Sequence, residues 1–354
     1  MYVDQAKLFS GRAFVFQSSK VDYSSEKSLV EKIFKSLPQP VKVKDVKLLN
    51  SSVDFDCYKV FSKNKCYNIK ISFSENCPSL VRESDSLRLV KNQVSPTLLH
   101  FDKINIGEEI TYLISSQEQS YPLNDLGRGF LFENFSSFLF SWKKLLENDP
   151  PKYSIRDNIS ELLFNLNFKE SFFEDAYEAA SEMDKFDKVS SLINDINQNI
   201  TTIYDSSVLE STHFCHGNLN HSNILWRNGL FKFCNFNKSF SGHHYLDLSQ
   251  LILRLGISKT SKRKMIKEYS KYMDLDFNEK EYKLCEKINT LMILGEILVR
   301  YFTEIYIFES SRPVKFCEII TLFSQNLQEF SKFDFFSDYK SFLIKMISSP
   351  INSL

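Results

Sequence analysis

Residues 214–236 read FCHGNLNHSNILWRNGLFKFCNF, and this stretch carries the signals from which the fold can be predicted. Asn228-Gly229 separates two short apolar runs, and an Asn-Gly pair in that position is the strongest local signal for a two-residue β-hairpin turn. The turn also sets the register of the two strands, so that Ile224 is expected to face Phe233. The open end of the hairpin then lies beside the loop that precedes it.

Polar side chains gather at this open end. Asn223 precedes the first strand and Asn235 follows the second, so the register places the two amides close together. The loop before the hairpin carries His216 and Asn218. The sequence therefore predicts three amides and a histidine at one place, within a part of the chain whose apolar periodicity is otherwise helical.

This constellation resembles the signature of the aminoglycoside phosphotransferase and choline kinase family. That signature is H-G-D-x-x-x-x-N, then a hairpin ending in an I-D-F-like triplet, then D-L. The matching residues, in chain order, are His216-Gly217-Asn218, Asn223, Asn235 and Asp247-Leu248. The family has a protein-kinase-like fold, so the resemblance implies a bilobal α+β protein with ATP and Mg²⁺ as its cofactors.

The resemblance also implies a role for each matching residue. Asn218 stands at the position of the catalytic Asp, which orients or deprotonates the substrate hydroxyl. Asn223 and Asn235 stand at the two positions that hold the metal. His216 and Asp247 match positions that brace the catalytic loop.

Earlier parts of the chain follow in the expected order. Lys70 in Asn68-Ile69-Lys70-Ile71 resembles the strand lysine that contacts the ATP phosphates. Strand alternation places Lys70 on the face opposite its two isoleucine neighbours, and therefore towards a cleft. Glu83 resembles the helix glutamate that pairs with this lysine. The segment from Tyr112 to Glu118, with Ser116 in it, resembles the hinge strand that meets the adenine.

The departures from the signature bear directly on activity. Asn218 and Asn235 replace two aspartates, and the loop from Asn50 to Asp56 contains no glycine with which to approach phosphates closely. Mg²⁺ usually binds through one or two carboxylates, so neutral amides are expected to hold it weakly. The amide of Asn218 is not a usable base. The sequence therefore favours a degenerate kinase, a pseudokinase that binds a nucleotide or small molecule with weak or no phosphoryl transfer.

Two alternatives remain open at this stage. One is an active ATP-dependent kinase that phosphorylates a small-molecule hydroxyl and takes its carboxylate from elsewhere, with Asp54 and Asp56 as the candidates. The other is a non-catalytic scaffold with an empty cleft, in which residues 1–43 and the Phe-rich helices bind a protein partner. In the family, substrate choice depends on the C-terminal helices, but the spacing of Glu296, Tyr301 and Glu304 does not show whether they face a ligand.

Composition excludes several other functions. Forty-four basic residues balance forty-four acidic ones among 354, so no net charge would hold nucleic acid or an anionic membrane. No apolar run is long enough to span a bilayer, and the start of the chain lacks signal-peptide features.

Seven cysteines at irregular spacing indicate reduced thiols and a cytoplasmic protein. Five of the six histidines lie between His213 and His244, but with Cys215 and Cys234 they do not have the spacing of a zinc site.

Periodicity divides the chain into three parts. Residues 1–43 form an N-terminal extension, with a hairpin around Ser10-Gly11 and a helix from Ser25 to Leu37. Residues 44–118 read as short strands with one helix, from Pro78 to Asn92, and form the predicted N-lobe. Residues 119–354 are mainly helical and form the predicted C-lobe, which contains the catalytic-loop-like segment 213–250.

Overall fold

The computed structural model describes residues 23–51, 54–63, 65–74, 77–90, 93–105, 107, 109–117, 120–179, 183–204, 212–306 and 314–348. The hairpin predicted around Ser10-Gly11 lies outside these residues, as do Glu118 and the side chain of Glu304. Over the described part of the chain, no helix is both long and apolar enough to cross a membrane.

A five-stranded antiparallel sheet forms the first lobe. Its strands are β1 (Asp45–Ser51), β2 (Asp56–Phe61), β3 (Cys66–Ser72), β4 (Leu98–Asn105) and β5 (Glu109–Gln117). They are arranged in the order β1-β2-β3-β5-β4. Helix α1 (Tyr23–Ser36) covers one face of this sheet with three fully buried side chains, Val30, Ile33 and Phe34.

The opposite face of the sheet looks towards the rest of the molecule. Ile69 and Ile71 of β3 pack in the core on the α1 side, so Lys70 between them points to the other face, as strand alternation predicts. Helix α2 (Pro78–Leu89) lies on that other face and begins with a proline, whose missing N–H costs nothing in the first turn. Lys70 and α2 therefore meet on the inner side of the lobe.

The second lobe is mainly helical. Its elements, in order, are β6 (Tyr121–Pro122), α3 (Leu123–Glu133), α4 (Phe135–Leu146), α5 (Ile155–Ala179), α6 (Met183–Tyr204), β7 (His213–Cys215), β8 (Ile224–Arg227), β9 (Leu230–Phe233), β10 (Phe240–Gly242), α7 (His244–Arg254), α8 (Lys259–Met273), α9 (Glu279–Tyr306), α10 (Val314–Phe330) and α11 (Phe336–Ser348). Helix α9 is central and packs against α5, α6, α7 and α10. The prediction of a bilobal α+β fold with a β-rich first lobe is confirmed.

Strands β8 and β9 form the predicted hairpin in the predicted register, with Ile224 paired to Phe233. Both turn residues have positive φ, 48° at Asn228 and 82° at Gly229, the combination that a type I′ turn requires. The side chains of Phe231 and Phe233 are fully buried and pack edge-on against Phe138 of α4. This packing fixes the hairpin on the helical lobe, with its open end directed towards the sheet lobe.

Candidate functional site

A cleft of about 850 Å³ lies between the two lobes. The six residues that the resemblance assigned to nucleotide, metal or catalytic positions all line it: Lys70, Glu83, Ser116, Asn218, Asn223 and Asn235. His216 and Asp247, which the sequence assigned to bracing, do not line the cleft and are fully or almost fully buried.

Lys70 is held by three groups at once. Its Nζ donates to Glu83 Oε2 at 2.5 Å and to Asn235 Oδ1 at 2.8 Å. The ring of Phe55 lies 4.7 Å from the same Nζ, within the range of a cation–π contact. The Lys70 and Glu83 side chains are 11% and 5% exposed, so the ion pair is largely shielded from water. Since Asn235 belongs to the helical lobe, Lys70 joins the two lobes.

The loop before the hairpin is braced by α7. The carboxylate of Asp247 accepts hydrogen bonds from the backbone N–H groups of His216, at 2.6 Å, and Gly217, at 2.9 Å. One turn along the same helix, the Gln250 amide accepts from Leu219 N–H at 2.8 Å and donates to the Gly217 carbonyl at 3.0 Å. Two side chains of one helix face thus fix four consecutive peptide groups of the loop.

His216 connects the loop to the hairpin. Its Nε2 lies 3.0 Å from the carbonyl oxygen of Cys234, which can only accept, so Nε2 carries the proton. Its Nδ1 then accepts from the backbone N–H of Asn218 at 3.2 Å. This double use requires the neutral imidazole, and burial lowers the pKa of His216 to about 4.

Asp247 shows the opposite shift. Burial raises the pKa of its carboxyl group to about 6, although the hydrogen bonds from Gly217 and His216 act to lower it. Two hydrogen bonds to backbone N–H groups thus only partly offset the cost of removing this carboxylate from water. The carboxylate is engaged with the backbone, as expected of a brace.

The amides at the open end of the hairpin satisfy one another. Asn223 Nδ2 donates to the Asn218 carbonyl at 2.8 Å, and Asn235 Nδ2 lies 3.4 Å from Asn223 Oδ1. Asn218 Oδ1 accepts from Asn220 Nδ2 at 3.1 Å. Asn235 has a φ of 66°, a left-handed conformation that Asn tolerates better than most residues. The three amide oxygens at the catalytic and metal positions are therefore all engaged in hydrogen bonds within the protein.

Carboxylates are scarce at this point of the cleft. Of the two candidates named from the sequence, Asp54 lines the cleft, whereas Asp56 interacts with Tyr58 and is absent from the cleft lining. Asp125, at the start of α3, also lines the cleft. Among the described residues, no group of three or more His, Cys, Asp or Glu side chains could hold a metal ion.

Ser116 lines the cleft, and its N–H and hydroxyl are engaged. Its N–H donates to the Thr97 carbonyl at 2.8 Å, and its hydroxyl accepts from Thr97 N–H at 2.9 Å. A contact of Ser116 with an adenine would therefore not use these two groups. The hinge role of Ser116 remains a prediction.

The histidine-rich segment forms a packed cluster. His243 stacks on His244 with ring centroids 4.4 Å apart, and His244 Nδ1 lies 2.9 Å from the Tyr269 hydroxyl. Cys215 is fully buried, and six of the seven cysteines are free thiols: Cys57, Cys66, Cys77, Cys215, Cys234 and Cys285. Ring contacts and a hydrogen bond to Tyr269 hold the side chains of this cluster together.

Several residues of the site were not identified from the sequence. Gln250 could have been, because it lies three residues after Asp247 and therefore on the same helix face. Asn158 could not, since it comes from distant α5, where it bonds the Arg82 guanidinium and donates to the Lys238 carbonyl at 2.8 Å. The sequence did not show whether Glu296 and Tyr301 face a ligand. Glu296 lines the cleft. Tyr301 is buried, and its hydroxyl donates to the Met346 carbonyl at 2.8 Å.

The arrangement of a five-stranded sheet lobe, a helical lobe, and a braced loop and hairpin between them defines a kinase-like protein. It is the fold of the aminoglycoside phosphotransferases and choline kinases, so the resemblance inferred from residues 213–250 is confirmed at the level of the fold. No protein-family model matches the chain, and no curated protein matches its sequence.

Three solved structures illustrate the likeness. Choline kinase LicA from Streptococcus pneumoniae gives a TM-score of 0.57 at 13% identity, over 86% of this chain and 99% of that chain. A thermostable mutant of aminoglycoside phosphotransferase APH(4)-Ia in its apo form gives 0.54 at 13% identity, over 85% and 96%. Spectinomycin phosphotransferase APH(9)-Ia, in complex with ADP and spectinomycin, gives 0.53 at 10% identity, over 84% and 93%.

Proposed function

We propose that the protein is a degenerate member of this kinase-like class that binds a nucleotide between its lobes and transfers phosphate weakly or not at all. The observation that carries the proposal is the pair of amides at the catalytic and metal positions. Asn218 and Asn235 can offer a neutral oxygen but no negative charge, and both oxygens are already engaged by Asn220 and Lys70. Base and positioning effects contribute on the order of 10²–10⁴-fold to such reactions.

Nucleotide binding is supported by the parts that the cleft retains. The ion pair of Lys70 with Glu83 orients an ammonium group towards the cleft, where ATP phosphates would meet it. APH(9)-Ia holds ADP in its crystal structure, and APH(4)-Ia mutants hold ADP or AMP-PNP together with hygromycin B. In the proposed function ATP occupies the corresponding cleft here, with Mg²⁺ held mainly by the phosphates and only weakly by Asn223 and Asn235.

The first test measures ATP binding by isothermal titration calorimetry, once with Mg²⁺ and once with EDTA, together with phosphate transfer to hydroxylated amines. We expect ATP affinities that agree within about threefold, which is less than 1 kcal/mol, and no transfer above background. Robust Mg²⁺-dependent turnover by the unmodified chain would overturn the proposal.

The second test restores the missing charges with the double substitution Asn218→Asp and Asn235→Asp. Two carboxylates near the phosphates should increase the affinity for ATP in the presence of Mg²⁺ at least tenfold, about 1.4 kcal/mol. Asn220→Asp is the control because it adds one negative charge to the same loop at a residue outside the cleft lining, whose amide oxygen accepts from Ser222 and Asn223 N–H and whose amide nitrogen donates to Asn218. An equal gain in both variants would contradict a specific metal site.

A second candidate function is an active small-molecule kinase, favoured by the presence of Asp54 in the cleft lining. If Asp54 supplies the missing carboxylate, turnover should be measurable in the parent and lost in Asp54→Asn. Absence of ATP binding in the parent and in the double variant would instead favour the non-catalytic scaffold.

A further inference from the structure

Three basic side chains line the part of the cleft that is formed by α7, α9 and the segment between β9 and β10. Lys238, Arg254 and Arg300 all line it. The carboxylate among them is Glu296, which lies within ion-pair distance of both arginines, with Arg300 Nη2 at 2.7 Å. Lys238 in turn pairs with Glu161. Glu296 thus pairs with both arginines at the edge of the cavity, and the charge of Lys238 also acts on its carboxylate.

Glu296 is committed to these cations. Burial alone would raise the pKa of its carboxyl group, but Arg254 and Arg300 lower it to about 2, so the carboxylate stays ionised and paired. A cationic ligand would have to displace at least one arginine from it. Glu296 therefore offers no ready site for an amine or a quaternary ammonium group.

Arg254 has unused hydrogen-bonding capacity. Its side chain is 8% exposed, and its Nη2 bonds Glu296, but its Nε–H has no hydrogen-bond partner among the described residues. A buried guanidinium N–H without a partner is costly, and such groups are usually satisfied in the state in which they function. Arg254 also lies one helical turn after Gln250, which bonds the loop at Gly217. The unsatisfied group is therefore near Asn218.

The cleft lacks the usual features for recognising organic cations. Quaternary ammonium ligands such as choline are typically held by aromatic cages. Within the described ranges the only aromatic side chain in the lining is Phe55, and its ring is taken by Lys70. Asn165 also lines the cleft and carries an amide suited to a hydroxyl group.

We propose that the second ligand of the cleft is a hydroxyl-bearing anion, a carboxylate or a phosphate monoester, bound by Arg254, Arg300 and Lys238. This inference rests on the proposed function, because it assigns the remainder of the cleft to a partner of the nucleotide. It gives the chain a ligand preference opposite in sign to that of a choline kinase, whose substrate is a cation.

The test uses four probes that share the glucopyranose ring and differ in charge: glucuronate, glucose 6-phosphate, glucose and glucosamine. Their dissociation constants are measured by ligand-observed NMR at constant ionic strength, without nucleotide. We expect at least one anion to bind about tenfold or more tightly than glucose, and glucosamine to bind least tightly. The anion that binds tighter identifies the carboxylate or the phosphate ester as the preferred group. Absence of anion binding at 10 mM, about the limit for a specific weak ligand, or equal binding of glucosamine would overturn the inference.

A variant pair shows whether the cleft is the binding site. Arg300→Gln removes one charge from a side chain that is 42% exposed, so the fold should tolerate it. We expect it to weaken anion binding at least fivefold. Arg263→Gln, on the exposed face of α8 and outside the cleft lining, should leave anion binding unchanged. Equal effects of the two substitutions would contradict a site in the cleft.

The nucleotide-binding function and the preference for an anionic ligand can be contradicted independently of each other. ATP titration of the same preparations reports the nucleotide site through Lys70, and Arg300→Gln should leave it unchanged. If ATP binds and no anion does, only the ligand preference is wrong. If an anion binds and ATP does not, the nucleotide-binding function is wrong while the cationic site stands.

Discussion

At Gly217 the backbone has a φ of 72°, which side chains with a Cβ rarely adopt, and it passes close to another segment. A Cβ at this position would lie 2.1 Å from the Lys238 carbonyl oxygen, far inside van der Waals contact. We expect Gly217→Ala to lower the free energy of unfolding by about 3 kcal/mol or more, because strain and a backbone clash act together. The free energies of unfolding of the parent and the variant are measured by urea denaturation.

Gly129→Ala is the control for that substitution. Gly129 lies in α3 with open space where its Cβ would be, so alanine there should stabilise the helix by up to about 1 kcal/mol. If Gly217→Ala proves as mild as Gly129→Ala, the close approach between the loop and Lys238 does not exist in solution.

The buried His216 gives the stability of the protein a defined dependence on pH. Burial lowers its folded-state pKa from 6.5 to about 4, so between these values the unfolded chain binds more protons. Its contribution to stability is therefore full above pH 6.5 and is lost as the pH falls to about 4. Asp247 acts in the opposite sense, because its carboxyl pKa is raised to about 6 and the folded state binds more protons between 3.8 and 6.

Replacing the histidine should separate the two effects. His216→Gln keeps a donor for the Cys234 carbonyl but does not titrate. We expect the urea midpoint at pH 4.5, relative to the midpoint at pH 7.0, to be higher in this variant than in the parent, because only the opposing contribution of Asp247 remains. An unchanged pH dependence would mean that His216 is not the group whose protonation opposes folding.

The residues of the site were predictable from the sequence to the extent that spacing fixes position. The hairpin register follows from Asn228-Gly229, so the neighbouring Asn223 and Asn235 could be placed side by side without a structure. The bond between Lys70 and Asn235 spans 165 positions and was not predicted, because order along the chain indicates only that both residues belong to the same site. The arginines around Glu296 were not predicted, because their positions depend on how α7 and α9 pack.

Among the elements, two were not predicted because their sequences lack a one-sided apolar pattern. Strand β4 (Leu98–Asn105) is a partly exposed edge strand with polar residues on both faces, so alternation is weak. Helix α7 (His244–Arg254) is buried along its whole length and shows no polar stripe from which a helical period could be read. The helix predicted at Ser25 to Leu37 has a clear stripe and is found at Tyr23–Ser36.

The sheet lobe should depend on helix α1. Phe34 is fully buried between α1 and the sheet and packs edge-on against Tyr67 with ring centroids 5.4 Å apart. We expect Phe34→Ala to destabilise the protein by about 3–5 kcal/mol, the usual cost of deleting a buried ring. Lys32→Ala, on the exposed side of the same helix, should change stability by less than about 0.5 kcal/mol. Similar urea midpoints for the two variants would show that α1 does not cover the sheet.

On the scale of the whole molecule, the 2.8 Å bond from Lys70 Nζ to Asn235 Oδ1 joins the two lobes across the cleft. A hydrogen bond to a charged group contributes roughly 1.5–3 kcal/mol. A double-mutant cycle of Lys70→Met and Asn235→Gly should return a coupling energy of this size. Glycine replaces Asn235 because φ is 66° at this position, a value that glycine adopts without strain. The cost of leaving Glu83 unpaired is the same in both variants that carry Lys70→Met, so it cancels in the coupling energy. A cycle of Lys70→Met with Asn220→Ala is the control and should give less than about 0.5 kcal/mol.

The same cycle tests where the nucleotide binds. If ATP phosphates occupy the cleft, they compete with Asn235 for the Lys70 ammonium, since both accept hydrogen bonds from the same Nζ. The coupling energy between Lys70 and Asn235 should then fall below about 1 kcal/mol in saturating ATP, while the total stability rises because the ligand binds only the folded state. A coupling energy that ATP leaves unchanged would place the nucleotide away from Lys70. In that case the hydrogen bond between Lys70 and Asn235 would be replaced by a contact between Lys70 and the ATP phosphates, so that the ligand would join the two lobes. This replacement requires no carboxylate at positions 218 and 235.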